Sequence, residues 1–157
     1  ELYIIGGGDE AYERLLKSET KRLGLTNVVF TGFLTGERKD EILQQSHVLV
    51  MPSEFENFGN VILEGLIRGI PCITTKGSPW EDLIKSDCGW WVDYDQEAIS
   101  AAVEEAVFCP NQRLFDMGLR AEKLIGEKYT TERVALKMRE LYQWLITKGQ
   151  TPDFVEC

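Results

Sequence analysis

The sequence has little of what several classes of protein require. Only 17 Lys and Arg residues stand against 26 Asp and Glu, which leaves a formal net charge of −9 at pH 7. A nucleic-acid-binding surface or a polybasic membrane anchor needs a basic stripe, and this balance argues against both. No apolar run reaches the ~18 residues of a transmembrane helix, and no segment resembles a signal peptide. The composition therefore predicts a globular chain with no nucleic-acid partner and no membrane span.

Candidate metal ligands are equally scarce. The chain has one histidine, His47, and its four cysteines are Cys72, Cys88, Cys109 and Cys157. Zinc sites usually take paired ligands from C-x-x-C or H-x-x-x-H spacings, and neither occurs here. We expect no metal site and interpret the cysteines as reduced thiols, which is consistent with the cytoplasm.

Strand and helix signals alternate along the first two thirds of the chain. Short apolar runs lie near residues 2–5, 28–30, 48–51, 72–75 and 90–92, and helical segments separate the first four of them. The first helix is expected to begin after Asp9 as its N-cap, and the third to cover residues 58–68. This pattern predicts an α/β fold with a Rossmann-like parallel sheet covered by helices on both faces. After Asp95 the pattern is purely helical, and three apolar stripes, the last from Val134 to Leu145, are expected to face the core. We predict one domain over residues 1–148 and a loose tail over 149–157.

The most informative segment runs from Pro52 to Glu64, between a strand end and the first turns of a helix. In open α/β sheets, ligands bind outside the carboxyl ends of the strands. Gly59 lets a ligand approach the backbone, and the unpartnered N–H groups that follow suit a diphosphate. Glu64 lies four residues after Asn60 on the same helix face, where its carboxylate can accept hydrogen bonds from sugar hydroxyls. The segment therefore predicts a site for a nucleotide diphosphate, with Glu56 reaching the group beyond the phosphates.

A plainer interpretation of the same residues stays open at this point. Glu64 could face solvent on an amphipathic helix, while Glu56 merely complements a helix N-terminus. Spacing alone does not separate the two interpretations, because isolated short motifs match by chance.

The order of several motifs resembles a known family. Pro52-Ser53-x-x-Glu56-x-Phe58-Gly59-x-x-x-x-Glu64 is similar to the signature of the retaining GT-B glycosyltransferases of family 4, the glycosyl-transferases-group-1 domain. Leu2–Gly8 resembles the family's strand into a Gly-rich loop, Val29–Leu34 its F-x-G strand end, and Gly69–Ile73 its G-x-P-V-I turn and strand. The resemblance covers roughly residues 2 to 145.

The resemblance implies a set of functional residues. Glu56 would be the catalytic residue and would hold hydroxyls of the donor sugar, and Glu64 would bind the ribose. Phe33 and Leu34 would lie beside the nucleotide base. The implied donor-binding set is Gly7, Phe33, Leu34, Phe58, Gly59, Asn60, Val61 and Glu64.

The resemblance also implies a reaction and a place within a larger enzyme. Such enzymes transfer a sugar from a UDP- or GDP-linked donor with retention of anomeric configuration, by a front-face route with the leaving phosphate as base, and they need no divalent metal. This chain would be most of the C-terminal, donor-binding domain, without its first strand and helix. The acceptor, a sugar or glycolipid in bacterial polysaccharide or lipopolysaccharide synthesis, would bind to an N-terminal domain not included here. The expected location is the cytoplasm, with membrane-peripheral attachment of the full-length protein as an alternative.

Two departures from the family pattern bear on activity. An Arg and a Lys that neutralise the leaving diphosphate would lie upstream of residue 1, so we expect the isolated chain to bind donor weakly and to be inactive. Trp80 stands where many relatives have a Gly-Gly-x-x-Glu segment, and it is expected either to shape the sugar pocket or to belong to the core. Trp90 and Trp91 are most simply packing residues, although one of them could stack on a sugar.

Two functions of other classes compete with sugar transfer, and a GT-B relative that epimerises or phosphorolyses sugars is a third option, which fits the glutamate pair less well. Gly6-x-Gly8-x-x-Ala11 formally satisfies the dinucleotide-binding fingerprint of NAD or FAD enzymes. That fingerprint also asks for an acidic residue ~20 positions later, and Val28–Gly32 contains no carboxylate. The second competitor is a non-catalytic GT-B-like scaffold, against which the retention of both Glu56 and Glu64 argues.

Overall fold

A computed structural model describes residues 1–155, so the prediction that Cys157 is a reduced thiol lies outside the described residues. The chain forms two compact units, Glu1–Gln45 and a second that begins at Ser46. The single domain expected over residues 1–148 stays a prediction. The described helices include none that is both long enough and apolar enough to cross a membrane.

The first unit is a β-α-β-α arrangement. Strand β1 (Leu2–Ile5) pairs in parallel with β2 (Val28–Gly32), and helix α1 (Glu10–Arg22) connects them. Helix α2 (Gly36–Gln45) follows β2. Helix α1 begins after Asp9, whose side chain accepts a hydrogen bond from a first-turn amide, as the sequence predicts for an N-cap.

The second unit contains a three-stranded parallel sheet in the order β3-β4-β5. Its strands are β3 (Leu49–Met51), β4 (Cys72–Thr75) and β5 (Gly89–Val92). Its helices are α3 (Asn60–Leu66), α4 (Asp82–Lys85), α5 (Gln96–Phe108), α6 (Asn111–Lys128) and α7 (Thr131–Thr147). All four residues of the central strand β4 are buried, as expected for a strand of a parallel sheet that is covered on both faces.

The core of the second unit lies between the sheet and the first two long C-terminal helices. Ile73 and Trp90 from β4 and β5 pack with Ala106 of α5 and with Leu114 and Met117 of α6. On the opposite flank of β4, two α3 side chains, Ile62 and Leu66, are completely buried. Because β4 is packed on both sides, the chain that leaves its carboxyl end starts from a fixed position.

The predicted fold class is confirmed, including the purely helical C-terminal part. The predicted strands pair in parallel, in a two-stranded and a three-stranded sheet. Helix α3 (Asn60–Leu66) is shorter than the predicted 58–68, and it begins two residues later because Gly59 adopts a left-handed conformation (φ +79°). The stripe expected to face the core from α7 does not do so, because every side chain over Thr131–Thr147 is exposed or half-buried.

Candidate functional site

The loop from Pro52 to Gly59 joins the carboxyl end of β3 to the start of α3. Gly59 has φ +79°, and no described side chain caps the helix start that follows it. A Cβ at Gly59 would lie 3.0 Å from Cδ1 of Ile62 and 3.2 Å from Cγ of Glu56. The half-buried Glu56 side chain therefore lies close to Gly59 at the start of α3, where an added Cβ would make its neighbours shift by a few tenths of an ångström.

Three of the predicted site residues share the outer side of α3. Asn60 and Val61 are exposed and Glu64 is half-buried, whereas the inward side of the helix is buried. The i, i+3 and i, i+4 spacings from Val61 and Asn60 to Glu64 place all three side chains on adjoining rows of the helix surface. Arg68 donates a hydrogen bond from Nη1 to the backbone carbonyl of Glu64 at 2.7 Å, which holds the last turn of this side. The structure thus brings Glu56 to one end of this surface and places Glu64 one turn further along.

Two threonines at the end of β4 hold the first half of the loop. The hydroxyl of Thr74 donates to the carbonyl oxygen of Met51 at 3.1 Å, and that of Thr75 donates to the carbonyl oxygen of Ser53. Both threonines are fully buried. Sequence reasoning missed them, although two hydroxyl residues ending an apolar strand are a signal, because a buried hydroxyl needs a partner.

The chain just after β4 touches the middle of the loop. The backbone N–H of Glu56 donates to the carbonyl oxygen of Gly77 at 2.9 Å. A Cβ at Gly77 would lie 2.7 Å from the carbonyl carbon of Glu54 and closer still to its oxygen, so the two backbones are in direct contact. Glu56 is thus held by its own backbone, and its side chain remains available for a ligand.

An aromatic cluster holds the end of the loop. The indole N–H of the fully buried Trp80 donates to the carbonyl oxygen of Phe58, and the ring centroids of these residues lie 5.1 Å apart. Tyr129 packs on Trp80 with centroids 5.0 Å apart and donates its hydroxyl to Oδ2 of Asp82 at 3.0 Å. Of the two roles expected for Trp80, the structure supports the core.

The carboxylate of Asp82, which accepts the Tyr129 hydroxyl, is also paired with Lys128. Burial alone would raise the pKa of Asp82, but hydrogen bonds from Lys128 (2.8 Å) and Tyr129 outweigh it, so the pKa lies below its ordinary value. Burial and the hydrogen bond to Asp82 raise the pKa of Tyr129. Both residues therefore keep one protonation state near neutral pH and act as fixed supports of the aromatic cluster.

The remaining tryptophans divide between core and support. Trp90 is buried among the side chains of α5 and α6. Trp91 is half-buried and donates its indole N–H to the carbonyl oxygen of Ser78 at 2.9 Å. Neither contact points to a sugar-stacking role. Within residues 1–155, no group of three or more His, Cys, Asp or Glu side chains is arranged to hold a metal ion.

The other predicted site residues belong to the first unit. Gly7 is exposed in the loop before α1, Phe33 is 80% exposed after β2, and Leu34 is half-buried. A cavity of about 170 Å³ lies beside the Gly-rich loop, with Asp9 and Glu13 among its lining residues.

The surroundings of that loop bear on the dinucleotide alternative. Oδ1 of Asp9 already accepts the N–H of Tyr12 at 2.8 Å, and Glu10 and Glu13 add two carboxylates to the first turn of α1. These negative charges would repel a pyrophosphate at the position where the dinucleotide fingerprint requires one. The geometry of the first unit therefore disfavours an NAD or FAD site.

Comparisons with known proteins agree with the loop and helix signature. The family model of the glycosyl transferases group 1 matches residues 1–123. An uncharacterized glycosyltransferase of Methanocaldococcus jannaschii is 29% identical over 152 residues, which cover 91% of this chain and 37% of that protein. A GDP-mannose-dependent alpha-(1-6)-phosphatidylinositol dimannoside mannosyltransferase of Mycobacterium tuberculosis is 31% identical over 136 residues, which cover 86% of this chain and 34% of that protein.

A solved structure shares the fold. Anabaena Alr3699/HepE, in complex with UDP and glucose, matches with a TM-score of 0.75 and 20% identity, covering 90% of this chain and 40% of that one. The chain spans just over a third of the length of the curated relatives named above. The family match extends over most of the chain and includes the loop, Glu56 and all of α3. This chain therefore belongs to the glycosyl transferases group 1 family.

Proposed function

We propose that this chain is the C-terminal, donor-binding part of a retaining GT-B glycosyltransferase of family 4. It would transfer a hexosyl group from a UDP- or GDP-linked sugar to an acceptor sugar or glycolipid. The observation that carries the proposal is the family match over residues 1–123, within which Glu56 and Glu64 stand at the two ends of one loop-and-helix surface.

Each end of that surface suits a different part of the donor. Glu64 is half-buried and acceptor-only when ionised, so it fits the two hydroxyls of a ribose. Glu56 packs against Gly59, at the end of the surface where the sugar of the donor would lie. Between them, the backbone from Phe58 to Val61 would meet the diphosphate, because Gly59 carries no Cβ and the first helical amides have no partner within the helix.

The chemistry assigned to this surface is donor positioning. In retaining transfer the bond from the anomeric carbon to the diphosphate oxygen breaks, and the acceptor oxygen bonds to that carbon on the same face. The acceptor proton passes to the leaving phosphate. Hydrogen bonds from Glu56 to the sugar hydroxyls would hold the ring in place while charge builds on the diphosphate. This route requires no metal ion.

The wider assignments follow from the same proposal. Gly7, Phe33 and Leu34 would contact the nucleotide, as the family resemblance implies, and an acceptor-binding domain outside this chain would complete the enzyme. Synthesis of bacterial polysaccharide or lipopolysaccharide is the proposed setting, and the phosphatidylinositol dimannoside in the name of the mycobacterial relative supports a glycolipid as one acceptor class. The buried free thiols Cys72 and Cys88 support a cytoplasmic location.

In the experiment, the 157-residue chain is titrated with UDP, GDP and NAD, and binding is measured by the shift in melting temperature and by isothermal titration calorimetry. A nucleotide that binds the folded chain raises its melting temperature, and we expect this from UDP or GDP and not from NAD. Failure of both UDP and GDP to bind at millimolar concentration would refute the proposal.

Three Gln variants then locate the site. Glu64→Gln should weaken nucleotide binding about tenfold or more, since hydrogen bonds to a charged group contribute roughly 1.5–3 kcal/mol. Glu56→Gln should leave the affinity for the nucleotide unchanged and weaken only that for the nucleotide sugar. Glu54→Gln, an exposed glutamate of the same loop, is the matched control and should change neither affinity. Equal effects of Glu54→Gln and Glu64→Gln would assign them to net charge instead of to contact.

A further inference from the structure

The segment Thr74–Trp80, called here the β4–α4 segment, forms four hydrogen bonds with the backbone of the chain that leads into α3. Its side chains donate to the carbonyl of Met51, the last residue of β3, and to two loop carbonyls, and its backbone accepts one loop amide. These bonds are spread from Met51 to Phe58, so they restrain the loop along its length.

The bond from Trp80 has a consequence for the ligand side of the loop. The peptide between Phe58 and Gly59 is planar and trans, so its carbonyl and its N–H point in opposite directions. Since the Phe58 carbonyl is held by the indole of Trp80, the N–H of Gly59 is directed away from Trp80. Gly59 also lies next to the Glu56 side chain, whose Cγ would be 3.2 Å from a Cβ at Gly59.

The β4–α4 segment is itself anchored on its far side. The backbone N–H of Lys76 donates to the carbonyl oxygen of Val92 at 2.7 Å, and the Trp91 indole holds the carbonyl of Ser78. The hydroxyl of Ser78 donates to the carbonyl oxygen of Thr75 at 2.8 Å. The segment is thus a rigid link between the sheet and the loop.

We propose that Trp80 and Thr75 are positioning residues for donor binding, because they hold the Gly59 amide and the loop around Glu56 in the orientation that the donor needs. Neither side chain contacts the donor. The indole of Trp80 acts through the Phe58 carbonyl, and the hydroxyl of Thr75 acts through the Ser53 carbonyl. Preorganised donors bind and stabilise charge better than donors that must first be ordered. This inference rests on the proposed function and deepens it.

The decisive variant is Trp80→Phe, which removes the indole N–H and keeps an aromatic ring between Phe58 and Tyr129. Its matched control is Tyr129→Phe, which removes a hydroxyl from the same cluster without touching the loop backbone. Both variants lose one hydrogen bond, and Trp80→Phe should lower the melting temperature more, because it also leaves a cavity at a fully buried position. Only Trp80→Phe should raise the Kd for UDP or GDP, whichever binds the wild-type chain, by about five- to tenfold.

A spectroscopic readout separates positioning from general destabilisation. In ¹⁵N–¹H spectra, the Gly59 amide should shift on addition of the nucleotide in the wild-type chain and in Tyr129→Phe. In Trp80→Phe its resonance should already be displaced or broadened without ligand, because its peptide plane is no longer held. Its response to the nucleotide should then be weaker.

Thr75 offers a second test that does not depend on the folding of Trp80→Phe. Thr75→Val removes the hydroxyl at constant shape and should weaken nucleotide binding, whereas Thr75→Ser keeps the hydroxyl and should restore it. If the wild-type chain binds UDP or GDP while Trp80→Phe and Thr75→Val bind as tightly as their controls, the inference is wrong and the proposed function stands. If the wild-type chain binds neither nucleotide, the proposed function itself fails.

Discussion

Replacing Gly77 with alanine should test the contact between the β4–α4 segment and the loop most directly. A Cβ at this position would lie 2.7 Å from the carbonyl carbon of Glu54, nearer still to its oxygen, and 3.3 Å from Cα of Phe55. Ordinary van der Waals contact begins near 3.4 Å, so the backbone of one segment must move by more than half an ångström. The obstructing atoms are backbone, and no flexible side chain can swing aside.

The expected loss of stability combines two effects. Overpacking of this kind costs about 1–3 kcal/mol. The displaced Gly77 carbonyl also loses the hydrogen bond from the Glu56 N–H, which contributes about 0.5–1.5 kcal/mol. Gly77→Ala should therefore lower the free energy of unfolding by roughly 2–4 kcal/mol, and it should weaken nucleotide binding because the loop moves.

Urea unfolding followed by tryptophan fluorescence measures this loss. All four tryptophans lie at or after position 80, so the signal reports on the second unit. Gly126→Ala is the control, because a Cβ there meets nothing within 4 Å and the residue lies inside α6. That change should raise stability by about 0.5–1 kcal/mol. An unchanged unfolding midpoint in Gly77→Ala would refute the close contact between the two backbones.

Three further outcomes are expected. Asp82→Asn should lower the free energy of unfolding by about 0.5–1 kcal/mol at pH 7, because the partly exposed pair with Lys128 is lost. Since folding lowers the pKa of Asp82, the difference from wild type in urea titrations should shrink as the pH falls below about 4 and vanish once the pH is below the pKa of the folded state. Cys72 and Cys88 should resist a thiol reagent at pH 8 in the folded chain and react after denaturation, and peptide mass spectrometry would record the labelling. The reason is that burial raises the pKa of both thiols, that of Cys88 to about 11. Gly59→Ala should lower stability by about 1–2 kcal/mol through its left-handed backbone, and calorimetry should find weakened nucleotide binding while NAD stays without effect.

Local patterns were sufficient to predict most elements of this fold. The apolar runs became strands β1 to β5, and Asp9 caps α1 as expected. Helix α4 was missed because its four residues, Asp82–Lys85, are too few for a helical period to be visible. The period of α7 was recognised correctly, but a period cannot say whether a partner covers the apolar stripe, and in the described chain none of its residues is buried.

The candidate site divides in the same way. Glu56, Gly59 and Glu64 were identified because they lie within nine consecutive positions of one motif. The threonines Thr74 and Thr75 were not identified, since their carbonyl partners lie more than 20 residues earlier in the chain.

The sequence by itself determined where most helices and strands form and which segment carries the sugar-nucleotide signature, because periodicity, caps and short motifs act over a few residues. Only the tertiary structure decided the role of Trp80, for which core and pocket were equally open. Parallel pairing of β3 with β4 sets the loop that follows β3 beside the β4–α4 segment, and a buried indole N–H must then find an acceptor. The acceptor it finds is the Phe58 carbonyl, 22 residues away, and no local pattern contains that information.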